Sequence, residues 1–342
     1  MSSELIHALP AGFCLHKYVI QRQIGYGNFG ITYLAWDRSL ERKVAIKEML
    51  PQDFAARGPD RISVVAKSAS HEGAFLWAKD RFLKEARTLA KLVHPSIVKV
   101  IEQFEANSTA YLVMEFIEGD DLEDWFRKTP RPSEKTLRAL TIQILQALSI
   151  VHEQGYLHRD IKPGNIRMQM HASGPVPILI DFGNARMSTG LKTENLSQIV
   201  TYGFAPFEQY QKTGRQGAWT DLYALGAVLY QGTTGKVPPD AIERHGEDSI
   251  LVLAREQGLN HYSTAFRAMI DKALRLSAKE RWQTCTEWLR ELDPTTVPPE
   301  PPRRRLLLIV TTLVALLALA GGGAVYLNGD NGKSSGGGGG II

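Results

Sequence analysis

The chain has 342 residues, 44% hydrophobic and 22% charged, proportions that exclude a fibrous or wholly disordered polymer. Its net charge of +4 is small and owes part of its size to Arg303–Arg305, so no basic field argues for a nucleic-acid partner. Cys14 and Cys285 have neither a CxxC neighbour nor a histidine at metal-ligand spacing, which reads as two reduced thiols in a reducing compartment.

In chain order, residues 1–17 read as a short leader, and Met1–Ala11 lacks the basic start and long apolar stretch of a signal peptide. Tyr18–Ile24 and Ile31–Trp36 read as strands around a glycine-rich turn, with a third β-branched run at Lys43–Glu48. Pro51–Ser70, polar and rich in Gly, Pro and Ser, reads as a loop or insert. Phe82, Leu83, Ala86, Leu89 and Leu92 recur at helical spacing and predict a helix over Asp80–Leu92. Ile97–Phe104 and Ala110–Phe116 read as two further strands. Ser133–Gln154 is a long amphipathic pattern, and helical patterns dominate from Trp219 to Leu292. The expected class is therefore α+β, a β-rich part followed by a helical one.

Pro294–Pro302 is a stiff proline-rich spacer, and Leu306–Leu327 carries no charged residue. About 20 apolar residues cross a bilayer as a helix, so this stretch is expected to span a membrane. The alternative is a buried soluble helix, but such helices seldom lack a polar face over this length. Arg303–Arg305 precede the span, which predicts a cytoplasmic N-terminal part. Asn328–Ile342, glycine-rich and short, is expected to be disordered and is poor material for an external sensor.

Four motifs carry chemistry. Gly25-Tyr26-Gly27-Asn28-Phe29-Gly30 lies between two predicted strands, where glycines let backbone N–H groups approach a phosphate. A bare hairpin turn would explain it equally well. A dinucleotide site is disfavoured because a strand, not a helix, follows. Lys47, in Val44-Ala45-Ile46-Lys47, is a lysine on an apolar strand, and a buried ammonium needs an anionic partner. Contact with α- and β-phosphates beside a glutamate supplies one. Glu85 on the following helix is the candidate, and Glu72 is its rival.

His158-Arg159-Asp160-Ile161-Lys162-Pro163-Gly164-Asn165 is far more specific. Its aspartate can take the proton of an attacking hydroxyl, its lysine can neutralise a transferred group, and its asparagine can offer a metal an oxygen. Asp181-Phe182-Gly183 follows the apolar run Pro177–Ile180, and a carboxylate at the end of a buried strand suits Mg²⁺.

These motifs, in this order, resemble the eukaryotic-like serine/threonine protein kinase family in its bacterial, single-pass membrane-anchored form. The resemblance covers roughly Tyr18–Leu292 and extends to Pro206-Phe207-Glu208, Asp221 and Arg281. It implies a bilobal fold, with an N-lobe over 18–117, a C-lobe over 118–292, a juxtamembrane linker at 293–305, a transmembrane helix at 306–327 and a tail at 328–342. It also implies ATP and Mg²⁺, with Mn²⁺ as an alternative ion.

Under that resemblance Asp160, Lys162, Lys47 and Glu85 are catalytic, and Asn165 and Asp181 hold the metal. The nucleotide meets Gly25, Tyr26, Gly27, Asn28, Phe29, Gly30, Thr32, Ala45 and Lys47, the hinge residues Met114, Glu115 and Ile117, and Asp121 at the ribose. Leu89, Val100, His158 and Phe182 resemble the apolar column that couples the lobes. Arg159, Glu208, Asp221 and Arg281 are structural. Lys162, in Asp-x-Lys-Pro, implies serine/threonine specificity. Arg159 would pair with a phosphate placed on the activation loop by a second copy in trans, at Ser188, Thr189, Thr193, Ser197 or Thr201. Thr201 has a second reading, holding Asp160 and Lys162 by hydrogen bonds.

Two features depart from the pattern. The interval from Lys47 to Glu85 is long, and Arg167 stands where leucine commonly lies under the adenine. The implied partners are ATP, protein substrates and the bilayer of an inner membrane. A catalytically silent scaffold and a small-molecule phosphotransferase are the rival readings. The retained Lys47, Asp160, Asn165 and Asp181 oppose the first, and the Glu208/Asp221/Arg281 set opposes the second.

Overall fold

The computed structural model describes residues 7–172, 174–182, 186–187, 201–211, 213–245, 250 and 252–293. The first part is a six-stranded antiparallel sheet. It comprises β1 (Cys14–Leu15), β2 (Tyr18–Gly27), β3 (Gly30–Asp37) and β4 (Arg42–Met49), then β7 (Val100–Ala106) and β8 (Thr109–Glu115), in the order β1-β2-β3-β4-β8-β7. Strand β4 lies between β3 and β8 and is buried from Val44 to Met49. That central position buries even its two charged residues, Lys47 and Glu48. A short hairpin, β5 (Ala55–Arg57) with β6 (Val64–Ala66), leads into helix α1 (Glu72–Leu89).

Three expectations are corrected here. Residues 7–17 are not a detached leader. β1 pairs with Tyr18 and Val19, and Leu9 and Leu15 join the core of Tyr18, Ile31, Tyr33, Val44 and Ile46. Pro51–Ser70 is not all loop, because its β5–β6 hairpin buries Phe54, Ala55 and Val64 in that same core. Helix α1 begins at Glu72 rather than Asp80. Its first half buries only Phe75 and leaves Leu76 and Trp77 exposed, so the apolar stripe is readable only further along.

The second part is helical: α2 (Leu122–Lys128), α3 (Glu134–Glu153), α4 (Phe207–Tyr210), α5 (Ala218–Thr234), α6 (Thr264–Ala273) and α7 (Cys285–Leu292). Ser133 caps α3, its Oγ accepting the Thr136 N–H at 3.2 Å. Leu137, Leu140, Ile144, Leu145, Leu148 and Val151 make the buried stripe of α3. Helix α5 is buried on every side, as the interior helix of a bundle must be, and ends at Gly235 in the left-handed conformation (φ +76°). Between α3 and α4 run β9 (Tyr156–Leu157), β10 (Ile166–His171), β11 (Gly174–Leu179) and β12 (Arg186–Met187), with β10 paired to β11 and β9 to β12. Among the described residues no helix is long and apolar enough to cross a membrane, and Leu306–Leu327 lies outside them.

Leu9 is 3% exposed, so Leu9→Ala should cost about 2–5 kcal/mol of stability if the N-terminal segment is part of the lobe. Urea unfolding of the full chain measures it. A loss too small to resolve would show that the segment contributes no packing.

Candidate active site

A pocket between the sheet and α1 gathers Lys47 from β4, Met114 from β8, Glu85 and Leu89 from α1, and Asp181 and Phe182 from the segment after β11. The Lys47 ammonium is buried and forms an ion pair with the Asp181 carboxylate. Glu85 accepts a hydrogen bond from Arg81 Nε at 2.9 Å. The structure therefore brings the expected Lys47 and Glu85 into one pocket but gives Lys47 to Asp181. Arg81 stands one helical turn before Glu85, where it competes for that carboxylate at short range. The residues expected in the apolar column lie near one another. Leu89, Val100 and Phe182 line the pocket, and the Phe182 ring lies 4.5 Å from that of His158.

The loop after β9 is held from below by Asp221, fully buried in the first turn of α5. Its carboxylate accepts the N–H groups of His158 (2.9 Å) and Arg159 (2.8 Å), and contacts His152 Nε2 at 2.7 Å. Burial opposes ionisation of Asp221. The His152 hydrogen bond, the two imidazoles and the Arg159 N–H outweigh it and hold the carboxyl below the usual Asp range. His158 is itself fully buried, which pushes its imidazole toward the neutral form, and its Nε2 lies 3.2 Å from the Ile180 carbonyl.

Asp160, so presented, is gripped by three side chains. Thr201 donates its hydroxyl to Oδ1 at 2.7 Å, Lys162 lies 3.0 Å from Oδ2, and Asn165 donates Nδ2 to Oδ2 at 2.9 Å. Thr201 in turn accepts from Lys162 Nζ at 3.2 Å, which matches the second of its two readings. Asn165 also accepts the Ile180 N–H on its backbone carbonyl at 2.9 Å, tying this loop to the residue before Asp181. Ser188, Thr189, Thr193, Ser197 and Gly183 lie outside the described residues.

Over the pocket, Gly27 and Gly30 face each other across the tight turn of β2 and β3. A Cβ on Gly30 would fall 1.9 Å from the Glu48 carbonyl oxygen, so only glycine fits there. Asn28 and Phe29 form the tip. Their carbonyls accept N–H groups from Gln52 (2.8 Å) and Leu50 (3.0 Å). Thr32 stands opposite Gly25, and Ala45 opposite Met114. Tyr26 is exposed. At the hinge, Ile117 is buried and Glu115 donates its N–H to the Lys99 carbonyl at 2.9 Å. Asp121 is the N-cap of α2, accepting the Asp124 N–H at 2.8 Å. Arg167 turns its guanidinium to the Gly119 carbonyl.

Below the loop, Glu208 of α4 takes a bidentate ion pair from Arg281 at 2.7 and 3.2 Å, both side chains buried, plus the Thr220 hydroxyl at 3.0 Å. Gln209 donates Nε2 to the Arg159 carbonyl at 2.9 Å. His152, Thr220, Gln209 and Gln52 carry no motif and were not expected. A polar residue inside an apolar helical stripe is the one signal that would have found His152.

The model of the family described as protein kinase domain matches residues 18–291. The chain belongs to the protein kinase family. The chain is 32% identical over 300 residues to serine/threonine-protein kinase PknA of Nostoc sp., covering 83% of this chain and 49% of that protein. It is 31% identical over 290 residues to serine/threonine-protein kinase PknB of Mycobacterium tuberculosis, covering 81% and 42%. The chain thus spans less than half the length of these curated relatives. The solved structure described as "PpkA-294 apo form" is 37% identical, with a TM-score of 0.70, and the match covers 84% of this chain and all of that one.

Two outcomes test the frame of the site. Arg281→Leu leaves the Glu208 carboxylate buried without its cation and should cost about 3–5 kcal/mol in urea unfolding. A cost below that of an exposed pair, about 1 kcal/mol, would show that the pair is solvated. Asp221 has its folded pKa below the ordinary value. Its stabilisation is therefore complete above about pH 4 and lost as pH falls through the folded pKa. Asp221→Asn should flatten the acid limb of the stability curve relative to wild type, whereas parallel acid limbs would show that Asp221 does not titrate on unfolding.

Proposed function

We propose that this chain is an ATP-dependent serine/threonine protein kinase, moving the γ-phosphoryl group of ATP to protein hydroxyls. The observation that carries the reading is the grip on Asp160 by Thr201, Lys162 and Asn165, on a loop whose Asn165 is tied to the strand end bearing Asp181. Asp160 is aimed as a proton acceptor. Lys162 stands beside it, where negative charge gathers on the transferred group. Lys47 is positioned for the α- and β-phosphates. Catalysis of this kind is positioning and charge stabilisation. As the hydroxyl oxygen bonds to phosphorus, the bond to the β-phosphate oxygen breaks and the hydroxyl proton passes to Asp160.

Mg²⁺ fits the residues present. The Asn165 amide nitrogen is committed to Asp160, which orients the amide oxygen elsewhere, and the Asp181 carboxylate is half-exposed. Hard oxygen donors with room for water and phosphate are what this ion takes. When bound, it would neutralise charge on the phosphate oxygens. Lys162 supports serine and threonine as acceptors, as do the relatives' names.

The same reading extends to the rest of the chain. Residues 18–292 form the catalytic domain, activated by phosphorylation of its activation loop between two copies. Leu306–Leu327 anchors it as a single span in an inner membrane, with the catalytic domain on the cytoplasmic side, as the uncharged stretch and the preceding arginines support.

Incubation of the full chain with Mg-ATP and a protein substrate, followed by phosphosite mass spectrometry, tests the chemistry. Asp160→Asn should lower the rate by about 10²–10⁴-fold, with phosphate on serine and threonine in wild type. Phosphate on tyrosine alone, or equal rates in both proteins, would overturn the proposal. Thr201→Val should lower kcat on the order of tenfold, the worth of one hydrogen bond to a charged group, while Thr201→Ser retains it. Loss in both, or in neither, counts against the bridge. For the anchor, deletion of Leu306–Leu327 should release the protein from alkali-washed membranes. Unchanged partitioning would refute the span.

A further inference from the structure

A second polar cluster, outside the cleft, centres on Glu48. This carboxylate is fully buried near the end of β4, and both of its oxygens meet donors. Oε1 accepts from Arg57 Nη1 (2.7 Å) and the Tyr111 hydroxyl (2.7 Å), and Oε2 from Arg57 Nη2 (2.5 Å) and the Tyr33 hydroxyl (2.7 Å). Burial and the Glu48 charge hold both phenols above the ordinary Tyr range, so each remains a donor. The donors are themselves held by the N-terminal segment and the insert. Leu9 gives its N–H to the Tyr33 oxygen at 3.0 Å, and Arg57 Nε and Nη2 reach the His7 carbonyl at 2.9 and 2.6 Å.

Glu48 and Lys47 are consecutive in one strand, so their side chains leave opposite faces. Lys47 enters the cleft, and Glu48 enters the core beneath the β5–β6 hairpin and residues 7–15. The backbone carbonyl of Glu48 is also the group against which Gly30 packs. One residue thus touches both the strand that aims Lys47 and the root of the glycine-rich turn.

A buried ion pair adds little stability over a well-packed apolar pair, but it fixes geometry, since its partners meet in one arrangement only. Here the pair's carboxylate sits on β4 at the position next to Lys47. We propose that Glu48 is a positioning residue for nucleotide binding, through which the His7–Leu15 segment and the β5–β6 hairpin set the aim of Lys47 and the glycine-rich turn. The inference rests on the kinase reading of the cleft.

The test compares the full-length chain with Glu48→Met/Arg57→Leu, which removes both charges and keeps an apolar fill, and with Tyr111→Phe, which removes one donor and keeps the ring. Circular dichroism and thermal melts report folding, calorimetry reports the Kd for Mg-ATP, and kinetics report the KM for peptide. The expected result for the double variant is a wild-type spectrum, an unshifted peptide KM and a Kd for Mg-ATP raised on the order of tenfold, since small misplacements are felt at the reacting groups. Tyr111→Phe should shift the same constant in the same direction by less, and it decides the matter should the double variant fail to fold. Folded variants that bind Mg-ATP as wild type does would overturn the inference and leave the kinase reading standing. A wild-type chain that binds no Mg-ATP would overturn both.

Discussion

A carboxylate placed in a helical core must find donors or lose its charge, and Asp221 finds them in the backbone of the loop that presents Asp160. The Asp221 side chain rises from the first turn of α5, a helix buried on every side, so its position is set by the packing of the whole second part of the molecule. Through the N–H groups of His158 and Arg159 it transmits that position to Asp160. The order of cause runs from apolar packing of α5, to one buried charge, to two backbone donors, to the placement of Asp160. His152 adds a second hold from α3, with Cys285 Sγ of α7 lying 3.4 Å from its other ring nitrogen.

The same logic recurs at each functional junction. Lys47–Asp181, Glu208–Arg281 and Glu48–Arg57 are each buried or half-buried ion pairs with further hydrogen bonds around them. Each carries a desolvation cost that its attraction barely offsets, so stability alone does not account for them. Their geometry does. Arg281 meets Glu208 in a bidentate fork that joins segments distant in sequence, and Arg57 of β5 meets Glu48 of β4 in another, each at one fixed relation. Surface pairs such as Lys128–Asp120 and Lys43–Glu118 join nothing of comparable consequence.

The legible part of the chain is the part where chemistry restricts residue type. Asp160, Lys162, Asn165 and Asp181 were readable because few polar loops combine those groups at that spacing, and the structure brings the first three into contact with one another. The strands β2, β3, β4, β7 and β8 were readable because β-branched runs between turn residues repeat the strand period. Residues 7–17 were not, since scattered apolar side chains in a turning segment make no period, though Ala8, Leu9, Phe13 and Leu15 pack into the sheet's core. The β5–β6 hairpin escaped for the same reason, with strands of three residues. A long insert leaves pairing between β4 and α1 undetermined by spacing; in the structure Lys47 pairs with Asp181, and Glu85, in the same pocket, accepts from Arg81. Glu48 was hidden by its neighbour: beside a lysine with an evident role, a strand glutamate reads as a solvent-facing charge.

Backbone conformation closes the argument about why these residues and no others occupy the loop. Arg159 and Asp181 both adopt left-handed φ, +65° and +58°, a region that costs an ordinary L-residue energy and glycine almost none. Glycine would relieve that cost and delete the side chain each position exists to present. The strain persists because both positions are overdetermined. Arg159 has its N–H fixed by Asp221 and its carbonyl by Gln209. Asp181 is held on one side by the Ile180 N–H bonded to Asn165 and on the other by Lys47. The hydrogen bonds that aim Asp160 and Asp181 are therefore the same ones that sustain the unfavourable torsions. Loosening any of them should let the backbone relax and the carboxylate turn away together.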